Sequence, residues 1–307
     1  MVVIRQVPGP AEWRADKIAG DDSWRYPLDG AHRSEVLAAL AAVRAAGVPA
    51  GGVARGGFPL PTLGVELDRL AHDLAYGRGF ALLRGVPLAG LTEPQCELVA
   101  LGIAGHVGVL VGQTARRLPL THVRDQGVDP AQPSGPGDRH RQKLGFHADP
   151  TDAVALLCVR PAKSGGLSSI VSSLAVHNEL VRTRPDLAQV LYRPWWFDGR
   201  PGGGPESFCQ QPVYSIDGGG GLVVRYGPDH LGPARHGAHA LSAEQLEAMW
   251  TLDRLHDDPR FMLTMDLRAG DMQFLNNRVI LHRNTAYQDH PEPQRRRDLI
   301  RLWLNLP

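Results

Sequence analysis

Long apolar runs are missing from this chain of 307 residues. No stretch reaches the ~18 consecutive apolar residues that a membrane-spanning helix needs, so no membrane partner is expected. The apolar part of the opening MVVIRQVPGP is too short for a secretory signal. Cysteine is scarce: Cys96, Cys158 and Cys209 are an odd number, far apart and without a Cys-x-x-Cys pair, which argues against a zinc knuckle or a disulfide framework. These features lead us to expect a cytoplasmic protein. Excess charge of either sign is also lacking, since 33 Lys and Arg stand against 32 Asp and Glu. Without a global field no nucleic-acid partner is expected, and a small-molecule substrate is the simpler reading. A homo-oligomer is compatible with all of this.

What the chain does have is punctuation. Its 35 glycines and 25 prolines fall between apolar runs and form no repeat. The patterns predict a strand over 2–7, amphipathic helices opened by Ser34 and running from Thr62 to a stop at Gly77, a buried strand over 79–85, and a helix from Thr92 to about His106. The segment 127–138, containing DPAQPSGPGD, has only turn residues and reads as an exposed loop. Gln113, Thr114, His122 and Arg124 lie in the same region, 113–145, and are candidates for a substrate wall or lid. Further strands are expected over 144–149, 153–160, 168–173, 262–267, 272–275, 279–282 and 298–304. Helices are expected through His177 and Glu179 and from Ser242 to about His256, and a hairpin turning at Asp217 to Gly221. Many short strands interleaved with helices suggest a β-sandwich or jelly roll rather than a doubly wound parallel sheet.

Two His-x-Asp triplets occur, His147-Ala-Asp149 and His256-Asp-Asp258; chance alone supplies about one. Residues two apart diverge by about 200° on a helix but share a face on a strand, with Cα atoms roughly 6.6 Å apart. His256 ends a helical pattern, so its pair should diverge. His147 follows the strand-like QKLGF and can aim imidazole and carboxylate at one metal. His282, closing the β-like run Val279-Ile-Leu-His, is the best third ligand. Two imidazoles and a carboxylate leave three positions open, the facial triad suited to iron(II). The plain alternative for His147 is an ordinary core histidine. Downstream, RRRDLIRLWL read as a strand puts Asp298, Ile300, Leu302 and Leu304 on one face, and Arg297, Leu299, Arg301 and Trp303 on the other. Two guanidinium groups on an otherwise apolar face call for anionic partners. Other features read plainly: the glycines after Asp217 form a turn, His230, His236 and His239 sit in a loop, and Trp195 and Trp196 pack.

At this point the residues resemble a known family. LGFHADPTDAVALLCVRPAKSGGLSSIVSSLAVHNEL and GDMQFLNNRVILHRNTAYQDHPEPQRRRDLIRLWL, with weaker support from GFALLRGVPL, are similar to the taurine dioxygenase-like (TauD/TfdA) branch of Fe(II)/2-oxoglutarate-dependent oxygenases. The resemblance implies one domain over 1–307 of the α+β, mainly β class, with a double-stranded β-helix (jelly roll, cupin-like) core decorated by helices. Residues 1–78 would be a helical extension packed on that core, and 113–145 a lid. It implies Fe(II) held by His147, Asp149 and His282, with 2-oxoglutarate and O2 as co-substrates. Arg297 would hold the distal carboxylate of 2-oxoglutarate, with Ser168 where relatives commonly have a threonine. Arg301 would meet an acidic substrate, and Asn277 and Arg278 would support the ligand strand. Arg283 stands where many relatives place glycine, and the retained Asp149 disfavours halogenation. The expected outcome is hydroxylation with release of succinate and CO2; desaturation, cyclisation and C–heteroatom cleavage use the same cofactor chemistry. A non-catalytic jelly-roll binding protein and a cupin-like enzyme working without 2-oxoglutarate are the rival readings.

Overall fold

The computed structural model describes residues 4–18, 20–49, 52–53, 55–113, 119–125, 144–198, 208–227, 231 and 240–307. In chain order the first half supplies α1 (Ala15–Ile18), β1 (Arg25–Pro27), α2 (Gly30–Ala45), α3 (Leu63–Tyr76), β2 (Phe80–Arg84), α4 (Glu93–Val107), β3 (Val109–Val111) and β4 (Leu120–Val123). The middle supplies β5 (Ala153–Arg160), β6 (Ser164–Gly165), β7 (Ser168–Ser172), α5 (Ser173–Thr183), α6 (Pro185–Leu191), β8 (Trp195–Asp198), β9 (Phe208–Gln211), β10 (Tyr214–Ile216) and β11 (Leu222–Val224). The last part holds α7 (Ala243–His256), β12 (Met262–Met265), β13 (Met272–Asn276), β14 (Ile280–Asn284), β15 (Tyr287–Gln288) and β16 (Asp298–Asn305).

Two sheets make the core. The larger runs β1-β2-β13-β5-β16-β3, with β4 also paired to β16, and the smaller runs β12-β7-β14. Only β1 and β2 pair in parallel within these sheets. Strand alternation sorts the side chains into three layers. Phe80, Leu82, Val154, Leu156, Leu275 and Leu299 from the large sheet meet Ile170, Ile280, Leu263 and Met265 from the small one, forming the sandwich interior. The opposite face of the large sheet, including Leu83, Leu157, Phe274, Ile300 and Leu302, packs against α2, α3 and α4. Val171 and Leu281 on the back of the small sheet pack against α5, α6 and α7. This is the jelly-roll architecture decorated by helices that the sequence suggested.

Residues 1–78 are more than a helical extension. They contribute β1 to the large sheet, and Trp13, Ile18 and Trp24 to the sandwich interior. The expected strand over 2–7 is absent at residues 4–7, and residues 2 and 3 lie outside the described residues. Instead Asn178 brackets Val7: its Oδ1 accepts the Val7 N–H and its Nδ2 donates to the Val7 carbonyl, both at 2.9 Å. The helix expected to open at Ser34 starts earlier, because Asp29 caps it by accepting the His32 N–H at 2.8 Å. Ser34 donates to the Gly30 carbonyl within the helix. The hairpin turn is where it was expected, with Asp217 Oδ1 accepting the N–H groups of Gly219 and Gly221. Trp195 is a packing residue whose indole N–H donates to Val190 O. The loop 127–138, Thr114, His230, His236 and His239 lie outside the described residues.

Candidate metal centre and co-substrate pocket

His147, Asp149 and His282 come together. His282 lies on β14, on the same face as Ile280 and therefore toward the sandwich interior. The expected strand over 144–149 does not form; a single antiparallel bridge joins His147 to His282. Its two backbone hydrogen bonds are 3.0 and 2.9 Å long, and the two rings stand 4.4 Å apart between centroids. His282 Nε2 is 3.9 Å from Asp149 Oδ2. The His147 ring is oriented by Nδ1, which donates to the Gly145 carbonyl at 2.9 Å and leaves Nε2 to carry the lone pair.

The electrostatics favour a ligand set. Burial, helped by the nearby His147 and Arg301, pushes His282 down to about 3, which keeps its ring neutral. Burial would raise Asp149, but Arg301, His282 and His147 outweigh it and hold the carboxyl below its usual range. Among the described residues, Asp149 Oδ2 and His282 Nδ1 are buried without a hydrogen-bond partner. A buried carboxylate oxygen left open among imidazoles is costly unless something positive fills the gap, so the residues fit a divalent metal.

Around this cluster the expected residues divide. Asn277 reaches it, with Oδ1 accepting the Asp149 N–H at 3.2 Å. Arg278 does not, and the expectation that it supports the ligands is corrected: its side chain turns outward and pairs with Asp217 at 2.7 Å, pinning the β10–β11 turn. Arg301 faces the interior, with Nη1 3.8 Å from Asp149 Oδ1 and Nε donating to Gln113 Oε1 at 3.1 Å. Arg297 is 6% exposed and lies against the Tyr287 ring, 4.8 Å from its centroid. Among the described residues no carboxylate pairs with the Arg297 guanidinium. It lines a cavity of about 290 Å³ together with Cys158, Lys163, Gly166, Arg268 and Leu299. Gly166 has φ +69, and a Cβ there would come within 3.2 Å of Arg297 Nε, so glycine makes room for the guanidinium.

Ser168 is buried on β7, its hydroxyl 2.8 Å from Gln273 Oε1, while Gln273 Nε2 donates to the sulfur of Met265 at 3.3 Å. Turning the Gln273 amide over would let Nε2 donate to the serine and free the hydroxyl proton for another acceptor. Sequence reasoning passed over Gln273, although a glutamine inside the apolar run MQFL is a signal that the interior face there is polar.

The other triplet separates as its helical setting predicted. Asp258 pairs with Arg260 at the surface, whereas His256 is 0% exposed and, among the described residues, neither ring nitrogen has a hydrogen-bond partner, with Asp253 Oδ1 4.0 Å from Nδ1. Burial pushes His256 down to about 3. The native ring therefore stays neutral below pH 6.5 while the unfolded chain takes up a proton, so stability is full above ~6.5 and falls by about 2–3 kcal/mol by pH 4.5. His256→Phe is expected to raise Tm and to remove this acid-dependent loss; thermal denaturation at pH 7.5 and 4.5 checks it.

A further group with ligand-type atoms, Glu93, His122 and Asp298, lies on the helix side of β16, its donor atoms within 4.8 Å of one another. Its acceptors are already used. Asp298 is met by His122 Nδ1 at 2.8 Å, Arg124 Nε at 2.7 Å and Arg160 Nη2 at 3.0 Å, and Glu93 by Arg124. Burial would raise Asp298, but His122 and Arg124 lower it to about 2. Burial also lowers His122, and Asp298 with Glu97 more than reverses this. With two guanidinium groups in the cluster, a divalent cation would face like charge, so this network braces β4, β5 and α4 against β16. His122 and Arg124, candidates for the substrate wall, are spent on it.

Residues 44–303 match the profile of the family described as "Taurine catabolism dioxygenase TauD, TfdA family". The chain belongs to that family. It is 30% identical over 316 residues to the FR-33289 synthase of Streptomyces rubellomurinus, an alignment covering 99% of this chain and 92% of that protein. It is also 30% identical over 302 residues to the taurine hydroxylase-like protein SAT17 of Stachybotrys chartarum, covering 94% and 77%. An asparagine oxygenase solved with Fe(II), 3-hydroxyasparagine and succinate shares the fold, with a TM-score of 0.73, 18% identity and coverage of 92% and 94%. This TauD/TfdA protein is accordingly an Fe(II)/2-oxoglutarate-dependent dioxygenase. Among its described residues, no helix is long and apolar enough to cross a membrane.

Proposed function

We propose that His147, Asp149 and His282 hold the iron, that Arg297 with Ser168 holds the distal carboxylate of 2-oxoglutarate, and that Arg301 meets the acidic group of a small, amino-acid-like substrate. The observation that carries this reading is Asp149 Oδ2, buried and open beside His282 Nε2. When bound, iron with 2-oxoglutarate and O2 supplies the oxidising power to hydroxylate a substrate C–H bond, with succinate and CO2 as co-products.

The chain's own residues bind, aim and exclude water. Gly145 O holds the His147 ring, and Asn277 holds the Asp149 backbone. Arg301 keeps Asp149 ionised and adds positive charge beside it. About 13 Å of strand separates the Cα atoms of Arg297 and Arg301, enough for two different anions. Leu156, Ile170, Met265 and Leu299 belong to the apolar layer of the sandwich interior on the same side. Relatives named for taurine and for asparagine are consistent with a small substrate carrying a sulfonate or carboxylate.

Anaerobic Fe(II) titration with 2-oxoglutarate is expected to give a visible charge-transfer band, and His122→Gln is expected to leave that band unchanged. A band lost in His122→Gln would move the iron to the ion-paired cluster. Succinate release is expected to be stimulated by members of a panel of small carboxylates, sulfonates and amino acids, and not by their uncharged analogues. Equal stimulation by the uncharged analogues would remove the role given to Arg301.

A further inference from the structure

The segment bearing His147 and Asp149 is not a strand, so whatever braces it decides how well two of the three ligands are aimed. On one side it has the bridge to His282, the Ala148 N–H to Tyr226 O bond at 2.9 Å, and the Asn277 contact. On the other side it rests on Phe146, 2% exposed and part of the apolar layer with α5, α6 and α7. Phe146 is in turn covered by a cation: Arg283 Cζ lies 4.2 Å from its ring centroid.

Arg283 follows His282 on β14, so the two side chains leave opposite faces of the small sheet. There Arg283 is 7% exposed; its Nη2 pairs with Asp257, the C-cap of α7, and donates to Met262 Sδ on β12. Among the described residues its buried Nε has no hydrogen-bond partner. His256 packs on Phe146 at 5.5 Å, and Tyr226 on His256 at 5.4 Å. An apolar side chain would fill this space without the desolvation cost of a buried charge. What a guanidinium adds is direction, since one planar group can stack on Phe146 while its edge is held by Asp257.

We infer that Arg283 is a positioning residue for the iron site. Anchored by Asp257, it fixes Phe146, and Phe146 fixes the backbone that presents His147. The inference rests on the ligand assignment proposed above. It makes iron affinity, more than fold stability, the quantity that registers the loss of Arg283.

The test is anaerobic Fe(II) titration of the full chain with Tm measured in parallel. Arg283→Gln is expected to weaken iron binding about tenfold or more, the scale of outer-shell partners. Arg283→Lys, which keeps the charge and loses the plane, should fall between it and the wild type. Asp257→Asn, a change at a half-exposed site that folds even if Arg283→Gln does not, should weaken iron in the same direction. Phe146→Leu should also weaken it, and the Arg283→Gln, Phe146→Leu double variant should be no worse than the poorer single. Leu252→Ala, inside the α7 packing, should lower Tm and leave iron affinity unchanged. His147→Ala separates the two ideas. If it binds iron as the wild type does, the ligand assignment falls and this inference with it. If it loses iron while Arg283→Gln and Asp257→Asn keep wild-type affinity, or if Leu252→Ala weakens iron as much as Arg283→Gln does, the ligands stand and Arg283 is overturned as a positioning residue.

Discussion

Replacing His282 with alanine is expected to cut succinate formation by roughly 10³-fold or more, the scale on which removing one member of a catalytic unit acts. The loss should appear equally in Fe(II) binding, because the ring stands 4.4 Å from His147 with its Nε2 toward Asp149. The fold should survive. His282 holds β14 to the His147 segment through backbone hydrogen bonds that alanine also makes, and its buried Nδ1 has no partner to lose. Circular dichroism and Tm like the wild type, combined with absent iron binding, would mark His282 as a ligand. Retained iron binding would remove it from the set.

Arg297→Met is expected to move two quantities in opposite directions. A nearly buried guanidinium with no carboxylate partner among the described residues is a cost to the ligand-free protein, and a side chain of similar length without charge relieves it. Tm of the ligand-free variant should therefore rise. The same change removes the cation proposed to meet the distal carboxylate. Losing a desolvated charge pair costs about 2–4 kcal/mol, so the KM for 2-oxoglutarate should rise on the order of 100-fold. Titration of succinate formation against 2-oxoglutarate, with calorimetry of the ligand-free protein, reads both. A variant both less stable and unchanged in KM would make Arg297 a structural residue.

Much of this was legible in the residues because strand alternation is local. The split of β16 into an Asp298, Ile300, Leu302, Leu304 face and a Leu299, Arg301, Trp303 face follows from period two, and the packing layers agree with it, Arg297 standing just before the strand. The His147 and His256 triplets were separable because a helix end and an extended segment aim side chains differently. The extended segment at His147 proved to be one bridge and not a strand. Its shape depends on Tyr226, Asn277 and Arg283, partners distant in sequence that no local pattern names. Arg278 was misread for the same reason, since nothing in Asn-Arg shows that Asp217 stands outside to receive the charge. His122 and Arg124 looked available because their acceptors, Asp298 and Glu93, come from strand and helix neighbours fixed only by the tertiary fold. Asp29 and Ser34 are both good caps, and it is Asp29 that accepts the His32 N–H while Ser34 bonds within the helix.

The strand order of the large sheet has a consequence for how the chain is made. β2 sits between β1 and β13, and β5 between β13 and β16, so segments from the beginning, middle and end of the chain are interleaved. While the protein emerges from the ribosome, β2 has one open edge until residue 276 is out, and β5 has two until then and one until 305 is out. Such unpaired edges are templates for pairing with other chains, and sheets built from distant segments close slowly. The protein thus completes its main sheet only after β16 has emerged, and shielding those edges in the meantime falls to whatever binds nascent chains.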